Sequence, residues 1–208
     1  MWLNGETKNV IFLVLFCFLS FFSGCGSNKK IKPVNSDTVI LAFGDSITAG
    51  TGANKNESYP DFLEEILNCK VINSGVPGET SEGGLHRINS DLNKFNPDLV
   101  ILCHGGNDFL KNNDETEVTF NLEQMILSIQ ESGADAVLIG VPKPGLFLKV
   151  PAFYKELSNK YDVPLQSKII KEILSSPGLK SDYVHPNSEG YRKMAEKIAA
   201  FINENSKM

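Results

Sequence analysis

Short apolar runs alternate along this chain with longer stretches in which apolar residues recur at helical spacing. The runs predict strands over residues 39–43, 71–73, 99–103, 136–140 and 163–166. The longer stretches predict helices over residues 59–68, 116–131, 152–161, 168–174 and 188–203, and one through Leu85, Ile88, Leu92 and Phe95 that Pro97 ends. This alternation is typical of βαβ units. It predicts an α/β fold, a three-layer α/β/α sandwich around a five-stranded parallel sheet, for which we favour the flavodoxin-like strand order 2-1-3-4-5.

An uncharged run precedes this pattern, from Val10 to Phe22. It is too short to span a membrane comfortably and fits the apolar region of a secretory signal. The run leads into Phe-Ser-Gly-Cys at residues 22–25, which resembles a bacterial lipobox, where the cysteine is lipidated and becomes the new N-terminus. We therefore predict a signal peptide over residues 1–24, a lipidated tether over 25–37 that begins at Cys25, and one domain over 38–208.

The predicted location follows from this N-terminal segment. We expect an exported, membrane-anchored lipoprotein that faces the periplasm or the cell exterior. An uncleaved N-terminal anchor and a soluble secreted form are the alternatives, and both also place the domain outside the cytoplasm.

Charge and cysteine content limit the possible partners and disulfide bonds of the domain. The net charge of −5 lacks the basic footprint of a nucleic-acid binder, so we expect no nucleic acid as a partner. Cys69 and Cys103 are the cysteines of the predicted domain, and a pair in an exported domain can form a disulfide. Their strands are not neighbours in the order 2-1-3-4-5, so we predict two buried thiols and no disulfide.

The first predicted strand runs directly into Gly44, Asp45 and Ser46. Open α/β folds bind their ligands at the carboxyl edge of the sheet, and a serine hydroxyl in this place is a candidate nucleophile. Taken alone, the same residues are also typical of an ordinary strand-to-helix turn. The Gly-x-Ser-x-Gly elbow of the α/β-hydrolases is absent from the sequence, which argues against that fold.

Three histidines are candidates for the base that activates the serine. His86 falls on a predicted helix as a surface or packing residue. His104 ends the third strand near the expected site, but no acid lies at a fixed spacing from it. His185 has Asp182 three residues before it, so one short segment supplies a general base and the group that orients it.

Acyl transfer also needs N–H donors aimed at the developing oxyanion. Asn107 follows two glycines at the end of the third strand, and Gly78 follows the second strand. Each is also a common turn residue. Together with Ser46 and His185, they lie at the carboxyl edge of the predicted sheet, and this convergence favours serine hydrolysis.

These motifs resemble the four ordered blocks of the SGNH hydrolases, also called GDSL esterases/lipases. The blocks are Gly-Asp-Ser at residues 44–46, Asn-Ser-Gly-Val-Pro-Gly-Glu-Thr at 73–80, Gly-Gly-Asn-Asp at 105–108 and Asp-x-x-His at 182–185. The resemblance extends from Val39 to the C-terminus and implies the SGNH hydrolase fold. It implies a triad of Ser46, His185 and Asp182. It also implies an oxyanion hole formed by the backbone N–H groups of Ser46 and Gly78 and by the Asn107 side chain.

Within that family the chain is most similar to the compact periplasmic acyl-thioesterase, lysophospholipase and arylesterase type. The resemblance implies an enzyme without metal or cofactor that hydrolyses small-molecule or lipid esters, such as aryl esters, lysophospholipids or acyl thioesters. We expect it to be a monomer. Leu146 and Phe147 follow the fourth strand and are candidates for the acyl-binding channel, although a loop packed on the core is an equal alternative. A carbohydrate O-acetylesterase of the same fold and a lipid-anchored, non-catalytic binding protein are the alternative functions.

Overall fold

The predicted strands form one parallel sheet in the order β2-β1-β3-β4-β5, in a computed structural model that describes residues 31–206. The strands are β1 (Val39–Gly44), β2 (Lys70–Gly75), β3 (Leu99–Cys103), β4 (Asp135–Ile139) and β5 (Leu165–Gln166). Every residue of β3 is buried, as expected for a parallel strand that helices cover on both faces. The predicted fold class and strand order are confirmed.

Eight α-helices surround this sheet over the described residues. They are α1 (Ser46–Ala49), α2 (Tyr59–Leu67), α3 (Ser81–Phe95), α4 (Gly106–Lys111), α5 (Glu115–Glu131), α6 (Phe153–Lys160), α7 (Ile169–Ser175) and α8 (Ser188–Asn205). The sequence pattern predicts six of them. It misses α1 and α4 because four and six residues are too few to show a helical period. These two short helices begin the loops that follow β1 and β3, at the carboxyl edge of the sheet.

Local capping residues fix where the longer helices begin. Ser58 and Asp61 form a capping box at the start of α2, in which each side chain accepts from the other residue's backbone N–H. Asn187 caps α8 by accepting from the N–H of Gly190 at 2.9 Å. The N-cap of α8 therefore lies two residues after His185.

Part of the predicted tether belongs to the folded domain. Ile31 is 1% exposed, and its N–H donates to the Asn205 carbonyl at 2.9 Å. The Lys32 N–H donates to the Asp135 carboxylate at 2.6 Å, at the start of β4. The prediction of a tether up to residue 37 is therefore wrong for residues 31–37, because burial of Ile31 docks this segment. The predicted signal peptide and the predicted lipidation site, Cys25, lie outside the described residues.

Both cysteines of the domain are buried free thiols: Cys69 lies directly before β2, Cys103 ends β3, and β1 lies between these two strands. Burial raises the pKa of the Cys103 thiol well above its ordinary value. Among residues 31–206, no helix is both long and apolar enough to cross a membrane.

Candidate active site

Ser46 sits at a sharp exit from β1. A Cβ on Gly44 would lie 2.3 Å from the Cys103 carbonyl oxygen, so only glycine fits at the end of this strand. Asp45 then caps α1, since its Oδ1 accepts from the Ile47 N–H at 3.0 Å. Ser46 is thus the first residue of a short helix at the carboxyl edge of the sheet.

Ser46, His185 and Asp182 form a continuous chain of hydrogen bonds. His185 Nε2 lies 2.9 Å from Ser46 Oγ, and His185 Nδ1 lies 2.8 Å from Asp182 Oδ2. The other carboxylate oxygen of Asp182 accepts from the backbone N–H groups of Val184 and His185, both at 2.8 Å. His86, by contrast, is exposed on α3. The structure therefore brings together the three residues that the sequence assigned to the triad.

The electrostatics of Asp182 favour its ionised form. Partial burial acts to raise the pKa of Asp182, but the hydrogen bonds from the His185 ring and from the backbone N–H groups of Val184 and His185 outweigh it. The pKa therefore lies below its ordinary value. An ionised carboxylate at this distance holds the imidazole with Nδ1 protonated, so that Nε2 presents its lone pair to Ser46.

Backbone hydrogen bonds hold the segment that carries His185. The Ser181 N–H donates to the His185 carbonyl at 3.0 Å, and the Asn187 N–H donates to the Leu179 carbonyl at 3.1 Å. These bonds fold the segment back on itself immediately before α8, so the position of the imidazole is set by the backbone as well as by Asp182.

The second and third motif blocks contact each other on the side of the site opposite His185. The Glu79 N–H donates to the Val76 carbonyl at 3.2 Å, which closes a turn with Pro77 and Gly78 at its centre. Gly78 is the third residue of this turn and has φ +81°, the positive value that a type II turn requires at its third residue. The Asn107 Nδ2 group donates to the Glu79 carbonyl at 3.0 Å. One amide hydrogen fixes the side chain, and the second remains available to a ligand.

All four of these motif blocks border one cavity of about 280 Å³. Ser46, Gly78, Asn107 and His185 line it. Most of its remaining wall is apolar, contributed by Leu110, Val141, Pro144, Leu148, Ile170 and Leu174, with Tyr183 at one side. Within the described part of the chain, no group of three or more His, Cys, Asp or Glu side chains has an arrangement that holds a metal ion.

Leu146 and Phe147 do not line this cavity, and their prediction as acyl-binding residues is wrong. Their exposed fractions are 90% and 80%. Gly145 and Leu148 both have positive φ angles, +147° and +36°, and these turn the loop so that its apex points into solvent. Pro144 and Leu148 face the cavity instead. Such loop conformations leave no periodic pattern in the sequence.

A partly buried ionic network beneath the site was not predicted. The Glu79 carboxylate accepts from Arg87 Nε at 2.8 and 3.0 Å and contacts His104 Nε2 at 3.2 Å. Arg87 also donates to the carbonyls of Gly44, at 3.2 Å, and Ser74, at 2.8 Å. Burial acts to raise the pKa of Glu79, but His104 and Arg87 outweigh it and lower the pKa to about 2. The missing acid partner of His104 is therefore Glu79, on a different loop.

Asp108 is a second acid near the site whose structural role was not predicted from the sequence. It is 1% exposed and accepts from the Ser81 N–H at 2.8 Å, from the Ser81 hydroxyl at 2.9 Å and from Asn113 at 3.1 Å. Because Ser81 begins α3, Asp108 fixes the start of this helix and the turn before it. Asp108 therefore sets the position of Gly78 relative to Asn107.

Comparisons with known proteins identify the family of this chain. The model of the GDSL-like lipase/acylhydrolase family matches residues 42–193. The chain belongs to this family. It is 30% identical over 171 residues to an arylesterase of Vibrio mimicus, covering 77% of this chain and 86% of the relative. It is 26% identical over 183 residues to thioesterase 1/protease 1/lysophospholipase L1 of Escherichia coli K12, covering 82% and 88%.

Solved structures place the chain in the same family. The crystal structure of AlinE4, an SGNH-hydrolase family esterase, superposes with a TM-score of 0.66 at 31% identity, covering 85% of this chain and 100% of that one. The family predicted from the four motif blocks, the SGNH hydrolases, is confirmed, and with it the prediction of an ester-hydrolysing enzyme.

Proposed function

We propose that this chain is a serine esterase with Ser46 as nucleophile, His185 as general base and Asp182 as the group that orients the imidazole. The observation that carries the proposal is the hydrogen-bond chain from Ser46 Oγ through His185 to Asp182, with distances of 2.9 and 2.8 Å. With Nδ1–H donated to Asp182, Nε2 accepts the proton of the serine hydroxyl.

The reaction proceeds through an acyl-enzyme. Ser46 Oγ forms a bond to the carbonyl carbon of the ester or thioester while its proton passes to His185 Nε2. The resulting oxyanion collapses, the bond to the alcohol or thiol breaks, and the leaving group takes the proton from His185. Water then attacks the acyl-Ser46 ester with the same proton transfers, which releases the acid and restores the serine hydroxyl.

The oxyanion is stabilised by the backbone N–H groups of Ser46 and Gly78 and by the side chain of Asn107. Two observations support this assignment. All three residues line the same cavity, and the Asn107 amide is already fixed by its hydrogen bond to the Glu79 carbonyl. Donors held in place before the reaction contribute most to stabilising the transition state, because they need no reorganisation.

The cavity supports an acyl group as the part of the substrate that is bound. Its walls are largely apolar, and its volume of about 280 Å³ lies just below the range of about 300 to 1,000 Å³ typical of ligand pockets. It therefore holds an acyl chain and leaves the leaving group at the mouth. The relatives named arylesterase and thioesterase/lysophospholipase support aryl esters, acyl thioesters and lysophospholipids as the substrate class.

The cellular setting is also a proposal. The lipobox-like Phe-Ser-Gly-Cys at residues 22–25 supports an exported lipoprotein anchored through Cys25. We propose a monomer as the active unit, because one chain supplies every residue of the site. Metabolic labelling with a tritiated fatty acid, lost in Cys25→Ser, tests the anchor, and light scattering of the detergent-solubilised chain tests the monomer.

The first test of the proposed chemistry is hydrolysis of p-nitrophenyl esters from acetate to palmitate by the full chain. We expect a maximum above acetate, and a loss of about 10⁴-fold or more in Ser46→Ala. Ser175→Ala removes an exposed hydroxyl at the end of α7 and is the matched control, with unchanged activity. Activity confined to acetate would favour a carbohydrate O-acetylesterase. A folded protein without activity would favour the non-catalytic binding protein.

A further inference from the structure

The loop after β4 turns two large apolar side chains into solvent. Residues 143–149 read Lys-Pro-Gly-Leu-Phe-Leu-Lys, and we refer to them as the β4 loop. The Lys143 N–H donates to the Lys149 carbonyl at 3.0 Å, which closes the loop at its base. Leu146 and Phe147 form its apex and are 90% and 80% exposed. Side chains of this size and exposure, adjacent on one apex, are typical of an interaction surface.

The apex continues the apolar surface that leads into the catalytic cavity. Pro144 and Leu148 of the same loop line the cavity, and so do Leu110 and Tyr183, which are 51% and 90% exposed. Aromatic side chains with one polar end, such as tyrosine, are enriched where proteins meet the headgroup region of a membrane. The mouth of the cavity is therefore rimmed by side chains suited to a lipid surface.

Two cations flank the apolar apex. Lys143 pairs with Glu115 of α5 at the base of the loop, whereas Lys149 is exposed and has no carboxylate within ion-pair distance among residues 31–206. Lysine stems lie along apolar surface while their ammonium groups stay in water, and lysines near a membrane are attracted to anionic headgroups. We infer that the β4 loop docks on an anionic phospholipid bilayer, with Leu146 and Phe147 among the acyl chains and Lys149 at the phosphates.

The shape of the apex favours a fluid partner over a folded protein. Its two apolar side chains are adjacent and protrude from a loop that contains Gly145. A protein partner would need a groove of matching shape, whereas the acyl layer of a bilayer accepts a convex apolar apex of any outline. A second copy of the chain and a separate protein are therefore the outcomes that the experiment has to exclude.

The proposed lipid anchor is compatible with this docking. Lys32 is bonded to Asp135 at the start of β4, and the β4 loop follows the other end of the same strand. The strand spans about 17 Å, and the six residue-to-residue steps from Cys25 to Ile31 reach at most about 21 Å. A domain that lies with β4 along the bilayer brings both contacts to one surface. This arrangement lets an ester in the membrane enter the cavity from the bilayer, a consequence that rests on the proposed function.

A tryptophan at the apex reports docking without relying on activity. The chain has one tryptophan, Trp2, so Trp2→Phe with Phe147→Trp leaves a single reporter in the full chain. We expect its emission to shift to the blue with vesicles of phosphatidylglycerol and phosphatidylcholine, and to be quenched when their acyl chains are brominated. The control is Trp2→Phe with Phe120→Trp, because Phe120 lies on α5 with 54% exposure and does not line the cavity.

The tryptophan of the control variant is expected to show neither a blue shift nor quenching on the same vesicles. If the apex reporter stays unshifted and unquenched on vesicle-bound protein, the inference is overturned. A shift that depends on protein concentration without vesicles would also overturn it, in favour of a second copy.

The functional consequence separates docking from chemistry. In Leu146→Ser combined with Phe147→Ser, we expect hydrolysis of a vesicle-borne ester to fall at least about tenfold, while hydrolysis of soluble p-nitrophenyl butyrate stays the same. An equal fall for both substrates would make the loop part of the substrate site and would contradict docking. If the parent chain hydrolyses neither ester, the proposed function fails, and the emission of the apex reporter still decides the inference.

Discussion

The loops that follow β1, β2 and β3 differ in construction from the loop that follows β4. Each of the first three carries a buried or nearly buried acid: Asp45 is 2% exposed, Asp108 is 1% exposed, and the Glu79 side chain is 10% exposed. The β4 loop contains no acid, and its apex residues Leu146 and Phe147 are among the most exposed apolar side chains of the described residues. One edge of the sheet thus combines fixed and solvent-exposed loops.

This difference follows from what each loop does in the proposed enzyme. Groups that attack a carbonyl or bind an oxyanion lose rate when they are displaced by a fraction of an ångström, so their loops need buried polar anchors. Asp45 is such an anchor: its carboxylate accepts from the Ile47 N–H at 3.0 Å, although burial raises its pKa. A loop that contacts a lipid surface needs an apolar apex and no fixed polar partner.

The largest effect is expected where a reactive loop touches the substrate. Asn107→Ala removes the proposed side-chain donor to the oxyanion, so we expect kcat to fall about 100- to 1,000-fold with little change in KM. Steady-state kinetics on p-nitrophenyl butyrate measures both values. Asn121→Ala is the control, because Asn121 also has a partly buried amide, bonded to Ser81, but does not line the cavity. Full activity in Asn107→Ala would remove Asn107 from the oxyanion hole.

The second-largest effect is expected for Glu79, which anchors the loop after β2. Its contribution to the free energy of unfolding depends on pH. The folded-state pKa of Glu79 is about 2, below its ordinary value of 4.5. Its carboxylate therefore stabilises the fold fully above pH 4.5, and this contribution is lost as the pH falls through 2. We expect Glu79→Gln to lower the free energy of unfolding by about 2 to 3 kcal/mol at pH 7 and by less at pH 3.

Urea unfolding at the two pH values measures this difference. Glu115→Gln is the matched control, because Glu115 at the start of α5 pairs on the surface with Lys143 of the β4 loop and is half exposed. We expect that change to cost no more than about 1 kcal/mol at either pH. Equal, pH-independent losses in the two variants would mean that Glu79 does not anchor its loop through its charge.

The third-largest effect is expected for Asp108, which joins the loop after β3 to the start of α3. Asp108→Asn replaces an acceptor by an amide that cannot accept from both the Ser81 N–H and the Ser81 hydroxyl, so we expect a loss of about 2 kcal/mol in the free energy of unfolding. Asp37→Asn, at an exposed position, is expected to stay within about 0.5 kcal/mol. An unchanged urea midpoint in Asp108→Asn would show that this acid does not anchor the start of α3.

The sequence predicts the parts of the site that depend on local order. Ser46 follows a strand and begins a turn, and Asp182 lies three residues before His185, so each role is visible within one short segment. The fold class is predictable for the same reason, since apolar runs and helical periods are local. The short helices α1 and α4 were missed because they are shorter than the pattern that would show them.

Contacts between distant segments could not be read in this way. His104 and Glu79 are 25 residues apart, and Asp108 and Ser81 are 27 apart, on loops that only the sheet brings together. The exposure of the β4 loop apex was missed for a different reason. Backbone angles at its glycine and at Leu148 decide which side chains face the cavity, and an apolar composition is compatible with either orientation.

The smallest effect is expected at the apex of the β4 loop. Leu146→Ala is expected to change the free energy of unfolding by no more than about 0.5 kcal/mol, because a side chain that is 90% exposed has little packing to lose. Ile170→Ala is the contrast, since Ile170 is fully buried at the cavity wall and its truncation is expected to cost about 2 to 5 kcal/mol. Urea unfolding of both variants measures the two values.

A loss above about 1 kcal/mol in Leu146→Ala would mean that the apex packs on the domain in solution. The difference between the fixed loops and the β4 loop would then disappear. Unchanged stability together with loss of vesicle docking would instead show that this exposure serves an external partner, because an apolar apex that contributes nothing to folding is free to be selected for binding.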